Sequence, residues 1–256
     1  MSWLAVWLIG IGLADLVRAA APRSAARWST AAGALAIAAL AVLSGLTAPV
    51  DLLVLAASLI ALAAWGVLAT QSLATGHGHG RALAVLAGGA LLLVALSGWA
   101  SPADGTIGRW LAWADLPVLD ASSDPGTVLL IAGLLLANLA TANVVVRLVL
   151  VSVGALRPVQ QAELSSGPQP SDQLRGGRLL GPMERVLIIG LGLAGQLTAA
   201  GLVIAAKGLI RFPELQAKRD ESSTVDAVGI DEVTEYFLVG SFVSWLVALV
   251  SLALTR

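Results

Sequence analysis

The sequence predicts an all-α, polytopic integral membrane helical bundle of seven transmembrane helices, with a short interfacial helix near 106–117. Three observations carry that prediction. Of 256 residues, 57% are hydrophobic and only 12% charged, with a mean hydropathy of +0.87, far from an ordinary water-soluble profile. Long apolar runs recur along the chain. The most complete, Val186–Ala206, has 21 residues without a charge, and Gln196 is its only strongly polar side chain. At 1.5 Å per residue such a helix would cross the roughly 30 Å hydrocarbon layer of a bilayer.

Composition also excludes function classes. A formal net charge of −1 gives no basic face for nucleic acid,. With no cysteine there are no disulfides, thiolate metal sites or cysteine nucleophiles,. No cofactor motif survives inspection of its context.

Helix 1 is predicted over Trp3–Ala20, with two tryptophans near its start as interface anchors. Ala19–Ala21 resembles a signal-peptide cleavage site. Against cleavage, the leading MSW carries no basic side chain, and Asp15 and Arg18 sit where small residues should follow. A retained helix is the favoured reading, and a cleaved signal the alternative; without helix 1 the count falls to six. A basic loop with Pro22, Arg23 and Arg27 follows, then helix 2 (Trp28–Leu46), Pro49, and helix 3 (Val50–Gln71).

The turn Thr75–Gly80 holds His77 and His79. Without a nearby carboxylate they read as loop residues, not metal ligands. Helix 4 is predicted over Arg81–Trp99. In Ser101–Gly126, Ile107, Trp110, Leu111 and Ala114 recur at helical spacing. They suggest a short helix with Trp110 and Trp113 at headgroup depth; a lid over a cavity is the functional alternative and a packed loop the plain one. Helix 5 (Thr127–Val151) carries Asn138, Asn143 and Arg147. A polar connection precedes helix 6, Val186–Ala206, and a charged loop separates it from helix 7 (Val233–Leu254). The whole reads as one helical membrane domain, 1–256: helices 1–5 in 1–151, a polar loop in 152–181, and a terminal helical hairpin in 182–256. Lysine and arginine placement puts the amino terminus outside and the carboxyl terminus inside.

Ile189–Gln196 satisfies G-x-G-x-x-G through Gly190, Gly192 and Gly195. A dinucleotide loop needs a strand before the glycines and an amphipathic helix after them. Here the apolar run continues past them, so a membrane helix is the better reading. Gly190, Ala194 and Thr198 form a ladder of small residues suited to close helix packing, as do Gly10 with Ala14 and Gly240 with Ser244.

Charges at membrane depth are costly and therefore the best local clues. Asp15 is expected to pair with Arg147 or Arg185. Asn143 and Arg147 share a face. Asn138 and Gln196 fall near the midplane, where they could bond each other. Lys207, Arg211, Glu235 and Tyr236 would tie helices 6 and 7. Glu184 and Arg185 lie about 30 Å from Lys207 and Arg211 along a continuous helix. The two groups could surround one site only if that helix were broken.

The pieces GGRLLGPMERVLI (Gly176–Ile188), GQLTAAGLVIAAKGLIRFPEL (Gly195–Leu215) and TEYFLVGSFVSWLVAL (Thr234–Leu249) resemble, in order and spacing, the shared membrane region of the bacterial family "domain of unknown function 3307". The positions carrying the resemblance are Gly177, Glu184, Arg185, Gln196, Gly201, Lys207, Arg211, Phe212, Glu235, Tyr236 and Gly240. Gly12–Asp15 is similar to the family's opening helix, without the histidine expected before the aspartate. The family is uncharacterised. The resemblance therefore implies a membrane setting, the bacterial inner (cytoplasmic) membrane, and a set of polar residues, but no reaction.

The leading expectation is a non-enzymatic membrane helper or partner-binding subunit, in contact with membrane lipids and a protein partner or further copies of itself. The alternative is a small-solute or lipid transporter using Asn138, Asn143, Arg147 and Gln196. A membrane enzyme acting on a lipid or phosphate-bearing substrate ranks third, because neither H-E-x-x-H nor G-x-S-x-G is present.

Overall fold

Helix α1 (Ser2–Ala20) is deeply buried, with Trp3, Leu4, Ala5, Val6, Trp7, Ile11 and Ala14 all enclosed. The computed structural model describes residues 1–21, 27–114, 124–160, 177–221 and 230–255; the side chains at 177–179, 210–221 and 230–233 lie outside that description. Outside it too lie the predicted loop positions Pro22 and Arg23, the acidic Asp115 and Asp120, and the connection 161–176.

Two compact units emerge. The first comprises Met1–Leu68 and Gly80–Thr141. In it α1 packs on α2 (Ser29–Ser44) and on α6 (Pro125–Leu139). Close approach to α2 depends on glycine: a Cβ on Gly33 would lie 2.5 Å from the Gly10 carbonyl oxygen, so the two backbones touch. Helix α3 (Pro49–Thr75) begins in this unit. The Trp7 indole reaches the Ser58 carbonyl at 3.2 Å. Helix α4 (His79–Ala95), a 3-10 turn at Ser97–Trp99 and the short helix α5 (Thr106–Ala114) complete it. α6 starts behind an Asp124 cap, whose carboxylate accepts from the Thr127 amide at 3.0 Å, satisfying one of the orphan donors of a helix start.

The second unit holds Ala69–His79 and Ala142–Leu254, with α7 (Thr141–Ser152), α8 (Gly177–Leu193), α9 (Leu197–Glu221) and α10 (Ile230–Ala253). One core cluster, Leu150, Val151, Ala155 and Leu156, receives Leu73, Val146, Tyr236 and Val239. Helix α10 packs on α8 and α9.

Seven membrane crossings do not survive. Among the described residues three helices are long and apolar enough to cross a bilayer: Ser2–Ala20, Pro49–Thr75 and Thr234–Ala253. A fourth exists only if the bent pair α6 and α7 counts as one span. Helices α2 and α4, at 16 and 17 residues, reach roughly 24–26 Å, short of the roughly 30 Å required. Predicted helix 5 is interrupted at Ala140. Just before the break Asn138 returns its amide to the Leu134 carbonyl at 2.9 Å, a side-chain bond that competes with the backbone ladder. Predicted helix 6 is two helices. The multi-pass inner-membrane placement, amino terminus outside and carboxyl terminus inside, rested on counting seven crossings and falls with that count.

What stands is a mostly helical protein of ten α-helices among the described residues, with up to three or four membrane-length segments and a packed interior rich in polar contacts.

Candidate functional site

The site forms because the uncharged stretch folds back on itself. Helix α8 stops at Leu193, and Gly195 adopts φ +75°, a conformation open to glycine at little cost. The Gln196 amide donates to the Leu191 carbonyl at 2.8 Å and the Gly195 amide to the Gly192 carbonyl at 3.1 Å. That pair of bonds is a Schellman cap, which satisfies the last carbonyls of a helix and ends it. G-x-G-x-x-G is therefore neither a nucleotide loop nor a continuous membrane helix; it is a helix–turn–helix corner.

The fold-back brings Glu184 and Lys207 together. Lys207 Nζ lies 2.5 Å from Glu184 Oε2, while the Trp245 indole on α10 donates to Glu184 Oε1 at 2.7 Å. Both carboxylate oxygens are thus engaged. The ammonium also stands 5.7 Å from the Trp245 ring centroid, within range of a cation–π attraction. Beside it Arg185, 1% exposed, donates to Ser244 Oγ at 2.8 Å and to Asn143 Oδ1 at 2.5 Å. Burial pushes the Arg185 guanidinium down to about 10, and the neighbouring Glu184 charge pulls it back up; it stays charged at neutral pH. One cluster therefore joins α7, α8, α9 and α10.

The other predicted positions distribute differently. Asp15 takes Arg18 (2.5 Å) and the Trp65 indole (3.0 Å), in place of Arg147 or Arg185. Asn138 is sealed in the first unit, whereas Gln196 is exposed at the turn and Arg147 exposed on α7. Glu235 is exposed, and Tyr236 packs on the Leu150 cluster. Arg211 lies on α9 with its side chain outside the description.

Sequence reasoning missed Trp245, read Ser244 only as a small packing residue, and missed a third buried carboxylate, beside Asp15 and Glu184, altogether. Asp51 is 0% exposed and accepts four bonds: from Trp3 Nε1 (2.7 Å), Ser101 Oγ (2.7 Å), the Ala48 amide (3.1 Å) and the Ser101 amide (3.3 Å). Its sequence signal was available: an acid in the first turn after Ala48-Pro49, where helix starts favour negative charge.

Chemically these are closed arrangements. Glu184 is neutralised by an ammonium and also accepts an indole N–H, Arg185 is bonded to neutral oxygens, and Asp51 is saturated by donors. No cluster of three or more histidines, cysteines or carboxylates that could hold a metal occurs among the described residues. Comparison with protein-family models, with curated proteins and with solved structures returned no match.

Proposed function

We propose that the chain is a non-enzymatic, membrane-associated helper that offers a stapled helical frame to a protein partner or to further copies of itself. The observation carrying this reading is the Glu184 carboxylate, both of whose oxygens are spent on Lys207 and Trp245. A group committed to two neighbouring helices is placed to hold them, not to bind a changing substrate. Helix α10, which supplies Trp245, also presents Leu238, Phe242, Leu249 and Val250 outward, a face suited to lipid or to an apolar partner. A transporter gains less support, because Asn138 is sealed while Gln196 and Arg147 are exposed.

The likeness to the "domain of unknown function 3307" family is kept as a proposal. In its favour, Glu184, Arg185 and Lys207, three of the positions carrying it, meet at one place.

The test is purification of the full chain in mild detergent. A defined homo-oligomer, or one recurring subunit in fixed stoichiometry, is expected. A monodisperse monomer enclosing a water-filled cavity with bound solute would overturn the reading.

A further inference from the structure

We infer that one end of the first unit, marked by Trp99, Trp110 and Trp113, is a contact surface for the headgroup–acyl boundary of a lipid bilayer. The inference rests on the membrane association proposed above and adds which residues set the boundary.

The end is defined by hydrogen bonds. Asp51 gathers Trp3 from the start of α1, Ala48 from the start of α3 and Ser101 from just beyond α4. Ser2 Oγ then donates to the Ser101 carbonyl at 3.1 Å. The Gly105 amide donates to the Ser44 carbonyl at 3.2 Å, fastening the α5 segment to the end of α2. A Cβ on Gly108 would stand 3.5 Å from Pro125, at the start of α6. The starts of α1, α3 and α6 and the ends of α2 and α4 therefore meet at one level, and α5 lies among them.

Of the three helices long enough to cross a membrane among the described residues, two, α1 and α3, begin at that level. The polar cluster around Asp51 marks where their apolar lengths end. A bilayer accommodating those helices would therefore place its headgroup layer here.

The tryptophans fall at this level and point outward. Trp99 is 75% exposed, Trp110 52% and Trp113 80%, whereas Trp3 and Trp7 of the same unit are enclosed. On α5, Ile107 and Leu111 turn partly inward while Trp110 and Trp113, three residues apart, stand on the outside. An exposed indole in water is a poor arrangement; at a bilayer surface its ring meets the acyl boundary and its N–H meets headgroups. Arg109 and Asp104 are both exposed in this segment. Asp124, at the start of α6, is exposed at the same end; without a basic excess among the described side chains, a zwitterionic lipid surface suits it better than a strongly anionic one.

The chain has no cysteine, so Trp99→Cys, Trp110→Cys and Trp113→Cys can each carry a single nitroxide in the full chain. The variants are mixed with phosphatidylcholine vesicles, floated on a gradient, and read by collision with oxygen and with a water-soluble nickel chelate. All three labels are expected at shallow depth, between the aqueous and acyl-core readings. The unlabelled chain is expected to show stronger tryptophan quenching by lipids brominated near the headgroup than by lipids brominated near the chain ends. A fully aqueous or mid-bilayer reading at any of the three, in a chain that floats with the vesicles, overturns the inference and leaves the membrane reading standing. A chain that stays at the bottom of the gradient overturns both.

Discussion

Lys207 Nζ meets Glu184 Oε2 at 2.5 Å across a turn at Gly195, although 22 residues separate the two along the chain. The contact exists because two helices, of 17 and 25 residues, meet at that turn in place of one continuous helix. It leaves neither charge to face an apolar interior alone, and Trp245 caps the remaining carboxylate oxygen.

Removing either partner should be costly, because the survivor keeps a partly buried charge. Glu184→Gln and Lys207→Met should each lower stability by about 1–3 kcal/mol. Because they touch, the double variant should lose less than the sum, leaving a coupling of about 0.5–3 kcal/mol. Chemical denaturation of the four proteins in one detergent measures this; strict additivity would count against the pair.

Asp51→Ala should be the more damaging change in the first unit. It strands the Trp3 indole, the Ser101 hydroxyl and two amides, and an unpaired buried donor costs about 1–3 kcal/mol. A loss of at least about 3 kcal/mol is expected. Asp51→Asn, which keeps an acceptor oxygen, should lose less. Denaturation midpoints of the two variants check the order.

The glycines divide sharply. Gly33→Ala drives a methyl into the Gly10 backbone and should cost about 1–3 kcal/mol. Gly190→Ala meets nothing within 4 Å inside α8 and should gain about 0.5–1 kcal/mol through helix propensity. Thermal unfolding of the two variants should shift in opposite directions.

Gly195→Ala forces a side chain into the left-handed region and should cost about 1–2 kcal/mol. Gly195→Asn, more tolerant of that conformation, should recover part of the loss. If alanine were neutral there, the turn at Gly195 would not be the one that ends α8.

Much of the architecture was legible in residue pattern. The mostly helical character, the short helix around Trp110 and the starts of most helices among the described residues follow from apolar spacing and from Pro49. The number of crossings did not, because hydropathy measures composition and is blind to where a helix stops. The corner at Gly195 shows the difficulty: a Schellman cap needs one glycine, while the apolar run on both sides reads as uninterrupted. The candidate site was half legible. Glu184, Arg185 and Lys207 stood out as charges flanking apolar sequence, but their meeting depended on the hidden turn. Trp245 and Ser244, two ordinary residues of an apolar helix, carried no mark of their role. Asp51 gave no sign of its partners, because Trp3 and Ser101 lie 48 and 50 positions away along the chain.

The fold-back is tested most directly by one distance. Leu180 and Leu209 are both exposed, so Leu180→Cys and Leu209→Cys, combined in the cysteine-free chain and spin-labelled, report across the hairpin by double electron–electron resonance. Adjacent helices lie about 8–10 Å apart, so with label arms a separation below about 25 Å is expected. A separation near 44 Å, about 1.5 Å for each residue of an unbroken helix, would contradict the hairpin and the Glu184–Lys207 contact with it.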